Sequence, residues 1–241
     1  MTMRLLLLLA ILGVPGTGWA QSPACPSSQE FIVTGDQFQA TKAAIARGKL
    51  PILALGGSAT EGRAAGGVGF TYPTRLVERL RERLSGVAIT VTVRAAARRS
   101  TADVLTTLDG DIAASDAALV IWGAGGSAAA RGEDVDAFSE TIQAVIARTR
   151  AARADLVLMT PQYAPSVVRV VNLTPYRMTV VYAGEMGGIP VFDRYDFMRS
   201  WHAGGLVNLD ATDPAEQVAV ARKVFDCMAE VLANRIADAV R

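Results

Sequence analysis

One histidine, His202, and one pair of cysteines, Cys25 and Cys227, are all that the 241 residues hold of the side chains that most often bind zinc. That is too few for a metal centre of the histidine–cysteine kind, and no cofactor is expected. An excess of one charge is missing as well, since 24 Lys and Arg stand against 23 Asp and Glu. Without a basic footprint, nucleic acid is a poor candidate partner. Low-complexity tracts, charge blocks and internal repeats are also lacking. The apolar run Leu5–Leu12 is too short to span a bilayer comfortably.

That run has a different reading. Arg4 precedes it and Gly18-Trp19-Ala20 follows it, which makes Met1–Ala20 a signal peptide. Residues 21–241 then make one domain with room for a sizeable core. The residues before Cys25 do not suit lipidation, so no stable membrane anchor is expected after cleavage. The protein is read as periplasmic or secreted. In that oxidising setting Cys25 and Cys227 are expected to pair, tying the N-terminal arm to the last helix. The competing reading is two unpaired small side chains, one of them buried.

After an irregular arm, a helix is expected over roughly Asp36–Arg47, with Asp36 as its N-cap. Strands and helices then alternate. The strands are Pro51–Gly56, Ala88–Val93, Ala117–Trp122, Leu156–Thr160 and Ile189–Phe192. Helices are expected at 72–84, 101–113, 135–153 and 175–186, with a last one from Pro214 to about Val240. Most strands are apolar without polar alternation, which places them in a parallel sheet covered on both faces. The fold predicted is a three-layer α/β/α sandwich around a flavodoxin-like, five-stranded parallel sheet.

Ser58 follows the first of those strands, in Gly56-Gly57-Ser58-Ala59-Thr60. The glycines allow a sharp turn that leaves the hydroxyl at the carboxyl end of a strand, where open α/β sheets bind ligands. It is a candidate nucleophile. A plain Gly-Ser turn remains the alternative on this stretch alone.

The strand-end loops resemble those of the SGNH/GDSL hydrolases, serine esterases and acyl hydrolases, over nearly the whole mature length. Stretches such as Leu158–Pro165 and Phe197–Trp201 are similar to those of exported proteobacterial members. The resemblance puts the nucleophile at Ser58, with Gly57 where that family carries aspartate. It puts the oxyanion-hole glycine at Arg98 and the oxyanion-hole asparagine at Gly125. In the last block, Leu209-Asp210-Ala211-Thr212-Asp213-Pro214, Asp210 takes the place of the orienting acid and Asp213 that of the catalytic histidine.

These replacements impair the chemistry that the resemblance implies. A carboxylate is a far weaker proton acceptor than imidazole, and Asp210 has no ring left to orient. Gly125 has no side chain to donate, and a missing donor of that kind costs on the order of 10²–10³ in rate. Arg98 keeps its N–H, but its Cβ resists a glycine conformation. Instead its guanidinium is expected to favour an anionic ligand if it faces the cleft; a solvent-facing side chain beside Arg99 is the alternative. His202 is weighed as a replacement base against a half-exposed residue beside Trp201. Gln162 and Tyr163 face the same rim, either to bind a ligand or to anchor their own loop. Asp193, Arg194 and Asp196 read as a solvated surface stretch.

Three functions follow from this reading. The first is a catalytically impaired, exported homologue that binds a small molecule or glycan in the old cleft. The second is a slow serine ester hydrolase, such as a carbohydrate O-acyl esterase, acting through Ser58. The third is a scaffold whose cleft has no role.

Overall fold

The computed structural model describes Cys25, the backbone at Ile32–Val33, and residues 38–241. The expected signal segment Met1–Ala20 and the expected cap Asp36 lie outside the described residues.

The first described elements are β1 (Ile32–Val33), α1 (Gln39–Ala46) and β2 (Lys49–Gly56). After β2 come α2 (Ser58–Glu61), two 3₁₀ turns (Arg63–Ala65 and Val68–Phe70) and α3 (Tyr72–Arg83). The middle of the chain gives β3 (Ala88–Ala95), α4 (Thr101–Ser115), β4 (Leu119–Gly123), α5 (Gly126–Arg131) and α6 (Val135–Ala151). It closes with β5 (Asp155–Met159), α7 (Pro165–Val168), α8 (Thr174–Gly187), β6 (Val191–Phe192), α9 (Arg194–Ala203) and α10 (Pro214–Val240).

The sheet order is β1-β6-β5-β4-β2-β3. The five strands from β2 to β6 are all parallel, and they are the five expected from the sequence. The two-residue β1, in the stretch read as irregular, adds an antiparallel edge: Ile32 stands opposite Phe192 and Val33 opposite Val191. From β2 the chain crosses to β3 on one side and returns to β4 on the other. The strand order therefore reverses between β2 and β4, and this opens a crevice at their carboxyl ends.

Each central strand feeds two cores by its two-residue period. Leu50 and Ile52 of β2 pack with Leu119 and Ile121 of β4 and with the inner faces of α3 and α10. Leu53, Leu55, Val120 and Trp122 point the other way, into α4, α6 and α8. Both faces are covered, so selection for apolar residues acts at every position, and polar alternation is absent. On α6, Phe138, Ile142, Val145 and Ile146 are all buried, as their helical spacing predicts.

The caps are partly tertiary. No flanking side chain caps α1; the Asp155 carboxylate on β5 accepts from the N–H groups of Ala40 and Thr41 at 3.2 and 2.6 Å. Cys25 is joined to Cys227, which lies on α10 at a sequence separation of 202. Among the described residues, no helix is long and apolar enough to cross a membrane.

Candidate active site

A cleft of about 340 Å³ opens where the loops after β2 and β4 diverge. Its wall is Gly57–Thr60 on one side and Gly123, Gly126 and Ser127 on the other, with Arg98, Arg131, Gln162 and Arg194 around them.

The turn into the cleft depends on Gly56. A Cβ there would stand 2.1 Å from Thr60 Oγ1 and 2.8 Å from Thr60 Cβ, so the glycine serves close approach. Neither Gly56 nor Gly57 has a positive φ. Gly56→Ala is expected to cost about 1–3 kcal/mol by overpacking. Urea unfolding reads this as a lower midpoint; a loss under ~0.5 kcal/mol would mean that Thr60 yields freely.

Ser58 opens α2 and is exposed to the cleft, and its Oγ has no hydrogen-bond partner among the described residues. Beside it, Ser127 Oγ stands 2.7 Å from the point that a Cβ on Gly57 would occupy. Gly125, the expected donor position, is elsewhere. It is buried at the N-terminus of α5 with φ +87°, and a Cβ there would lie 3.0 Å from Pro161 Cγ and 3.2 Å from Tyr176 Cβ. It packs against the loop after β5, while Ser127, two residues on, is the side chain that reaches the cleft.

Arg98 lines the cleft and takes φ +63°, the left-handed conformation that its Cβ was expected to resist. The cost of that conformation is about 1–2 kcal/mol. The Arg98 carbonyl accepts from Arg131 Nη1 at 3.5 Å.

The last block stays out of the cleft. The Asp213 carboxylate is spent as the N-cap of α10, accepting from Glu216 N–H at 2.9 Å. Asp210 Oδ2 lies 3.6 Å from His202 Nε2, so an acid–imidazole pair does exist, with the ring supplied by α9. His202 Nδ1 is also engaged, 3.3 Å from Leu209 N–H and from the Val207 carbonyl. None of these three side chains lines the cleft around Ser58. The pair Gln162 and Tyr163 divides: Gln162 faces the cleft, and Tyr163 packs edge-on to Tyr195 with ring centroids 5.3 Å apart.

One segment departs from its expectation in two of its three residues; the third, Asp196, stays part-exposed in ion pairs with Arg177 and Arg199. Asp193 and Arg194, read as solvated, are 7% and 4% exposed. Their burial is made affordable by a local network. Asp193 accepts from Thr160 Oγ1 at 2.9 Å and from Arg177 Nε at 3.2 Å, and Arg194 Nε donates to the Thr160 carbonyl at 3.1 Å. Burial pulls the Arg194 guanidinium down to about 10, which leaves it charged at neutral pH. Tyr72 lies buried against Thr60 without a well-formed hydrogen bond, and burial pushes its hydroxyl up to about 12. Ser127, Thr60 and Arg194 are therefore cleft residues that the motif spacing did not reveal.

From residue 24 to residue 241 the sequence matches the model of the non-GDSL lipase-like family. The chain belongs to that family. The family's name suits the loop after β2, where Gly57 precedes Ser58 in place of an aspartate. No curated protein matches the chain in sequence. Solved structures share its fold. A protein assigned to the G-D-S-L lipolytic family from Desulfitobacterium hafniense is 18% identical with a TM-score of 0.59, covering 78% of this chain and 99% of that one. The acetylxylan esterase Axe2 from Geobacillus stearothermophilus is 18% identical with a TM-score of 0.60, covering 78% and 93%. A lipase/acylhydrolase from Enterococcus faecalis is 18% identical with a TM-score of 0.58, covering 78% and 96%. This non-GDSL lipase-like chain is thus an SGNH/GDSL hydrolase-like α/β sandwich, with its cleft at the strand ends and no imidazole or carboxylate among the described residues that line it.

Proposed function

We propose that the protein is an exported, catalytically impaired SGNH/GDSL-like homologue that binds a small molecule or glycan over Ser58. The observation that carries this reading is the composition of the cleft wall, which among the described residues holds no histidine, aspartate or glutamate. A serine hydroxyl needs a neighbouring base to become a competent nucleophile. Asp213 is occupied as a helix cap, and His202 is turned to Asp210 and its own loop. Dismantling a serine–histidine pair costs about 10⁶-fold in turnover where it has been measured, so slow residual hydrolysis at most is expected.

The alternative is a slow ester hydrolase acting through Ser58, for example on O-acylated sugars. It draws support from the free Ser58 Oγ and from Ser127 Oγ beside it, which could donate to an oxyanion in place of an amide. Turnover of aryl and acetylated-sugar esters by wild type and Ser58→Ala, with fluorophosphonate labelling of the wild type, separates the two. Equal, near-background rates and no labelling are expected. Turnover that Ser58→Ala abolishes would overturn the impaired reading.

A further inference from the structure

The floor of the cleft holds a positive charge that no carboxylate among the described residues neutralises. Arg194 is 4% exposed, and its Nη1 is buried with no hydrogen-bond partner. The guanidinium forms no ion pair with any described carboxylate; the adjacent Asp193 is committed to Thr160 and Arg177. Tyr72 supplies no counter-charge, because its hydroxyl is neutral at pH 7. A buried cation without an anion is expensive, and structures seldom keep one without a use for it.

The space beside that charge is also specific. Gly123 closes β4 and lines the cleft. A Cβ on it would lie 3.8 Å from Arg194 Nη1 and 3.4 Å from Thr60 Oγ1. The missing side chain therefore leaves a gap that Thr60 Oγ1 and Arg194 Nη1 border, with Met159 Cε 3.5 Å from the same point as its apolar side. At the mouth stand Arg98, which has no ion pair among the described residues, and Arg131, whose Nε lies 3.3 Å from Glu133 Oε1. Among the described residues, three arginines and no acidic residue line the cleft.

We propose that the cleft is a receptor for a small ligand carrying an oxyanion, seated between Arg194 Nη1 and Thr60 Oγ1 over Gly123, with Arg98 at the mouth. Carboxylate, sulfate and phosphate share the required chemistry, which is several acceptor oxygens around one negative charge for a forked guanidinium. The cleft volume suits a ligand of about one sugar ring, and Gln162 and Ser127 offer partners for its hydroxyls. The proposal rests on the ligand-binding reading above, but not on whether Ser58 is inert. An esterase active through Ser58 would overturn that reading and leave this site standing.

The test is calorimetric titration of the mature protein, at constant ionic strength, with glucuronate, glucose 6-sulfate, glucose 6-phosphate, neutral glucose and chloride. Saturable binding of at least one acidic sugar, and none of glucose or chloride, is expected; the arms identify which oxyanion fits. Arg194→Met should weaken that binding by roughly 30-fold or more, the usual loss when one partner of a buried charged contact is removed. Gly123→Ala keeps the charge but fills the gap at ordinary contact distances, and should weaken binding by roughly 10-fold. It also decides the matter if Arg194→Met does not fold. Absence of binding by all three acidic sugars overturns the proposal, as does unchanged affinity in either folded variant.

Discussion

Without the Cys25–Cys227 bond, the protein is expected to lose about 2–5 kcal/mol of stability. Cys227 is 4% exposed on α10, and Cys25 packs against the same core from the N-terminal arm. The bond closes a loop of sequence separation 202, so in the chain-entropy account its constraint on the unfolded state falls at the upper end of that range. The comparison to make is urea unfolding of oxidised wild type against Cys25→Ser, which leaves the buried side of the contact nearly filled. The midpoint should fall, and the m-value should rise because an unbridged unfolded chain exposes more surface. A loss under ~1 kcal/mol would show that the arm is held by its other contacts, such as the short pairing of β1 with β6.

The parts of this fold that were legible in the sequence are those where one physical demand acts at every position. β2, β4 and β5 are covered on both faces, so each reads as an apolar run once past the Lys49 and Asp155 that open β2 and β5. Pro214 marks the start of α10 as a residue suited to the first helical position, whereas Asp213, read as standing at the catalytic-histidine position, proves to be its cap. Where the partner is distant in sequence, the signal fades. The start of α1 is capped by Asp155, more than a hundred residues away, while the local pattern points only to Asp36.

The site shows the same division. Ser58 was found because its turn is local and rich in glycine. Counting along a motif placed the second donor at Gly125, yet the turn after β4 puts Gly125 against Pro161 and brings Ser127 into the cleft. Arg194 was the least legible of all. An arginine between two acids reads as surface, and only the fold reveals that Arg177 takes Asp193 and Asp196 and leaves Arg194 alone beneath the cleft.

The link between core and cleft can be tested at Trp122. Its ring is 2% exposed and belongs to the core shared by α4, α6 and α8, with Leu55 and Leu158 as its neighbours across the sheet. The next residue is Gly123, and the turn through Ser127 follows directly. Trp122→Ala is expected to cost about 3–5 kcal/mol, because a large buried ring is lost and the packed helices close only part of the void. Trp122→Phe, which keeps most of the volume, should cost distinctly less. Urea unfolding reads the global loss, and amide exchange at residues 123–127 reads the local one. If the turn is held down by this ring, its exchange should speed up in Trp122→Ala by more than the global loss accounts for. Exchange that follows global stability alone would mean that the cleft wall is positioned by α5 and the loop after β5, independently of the core below it.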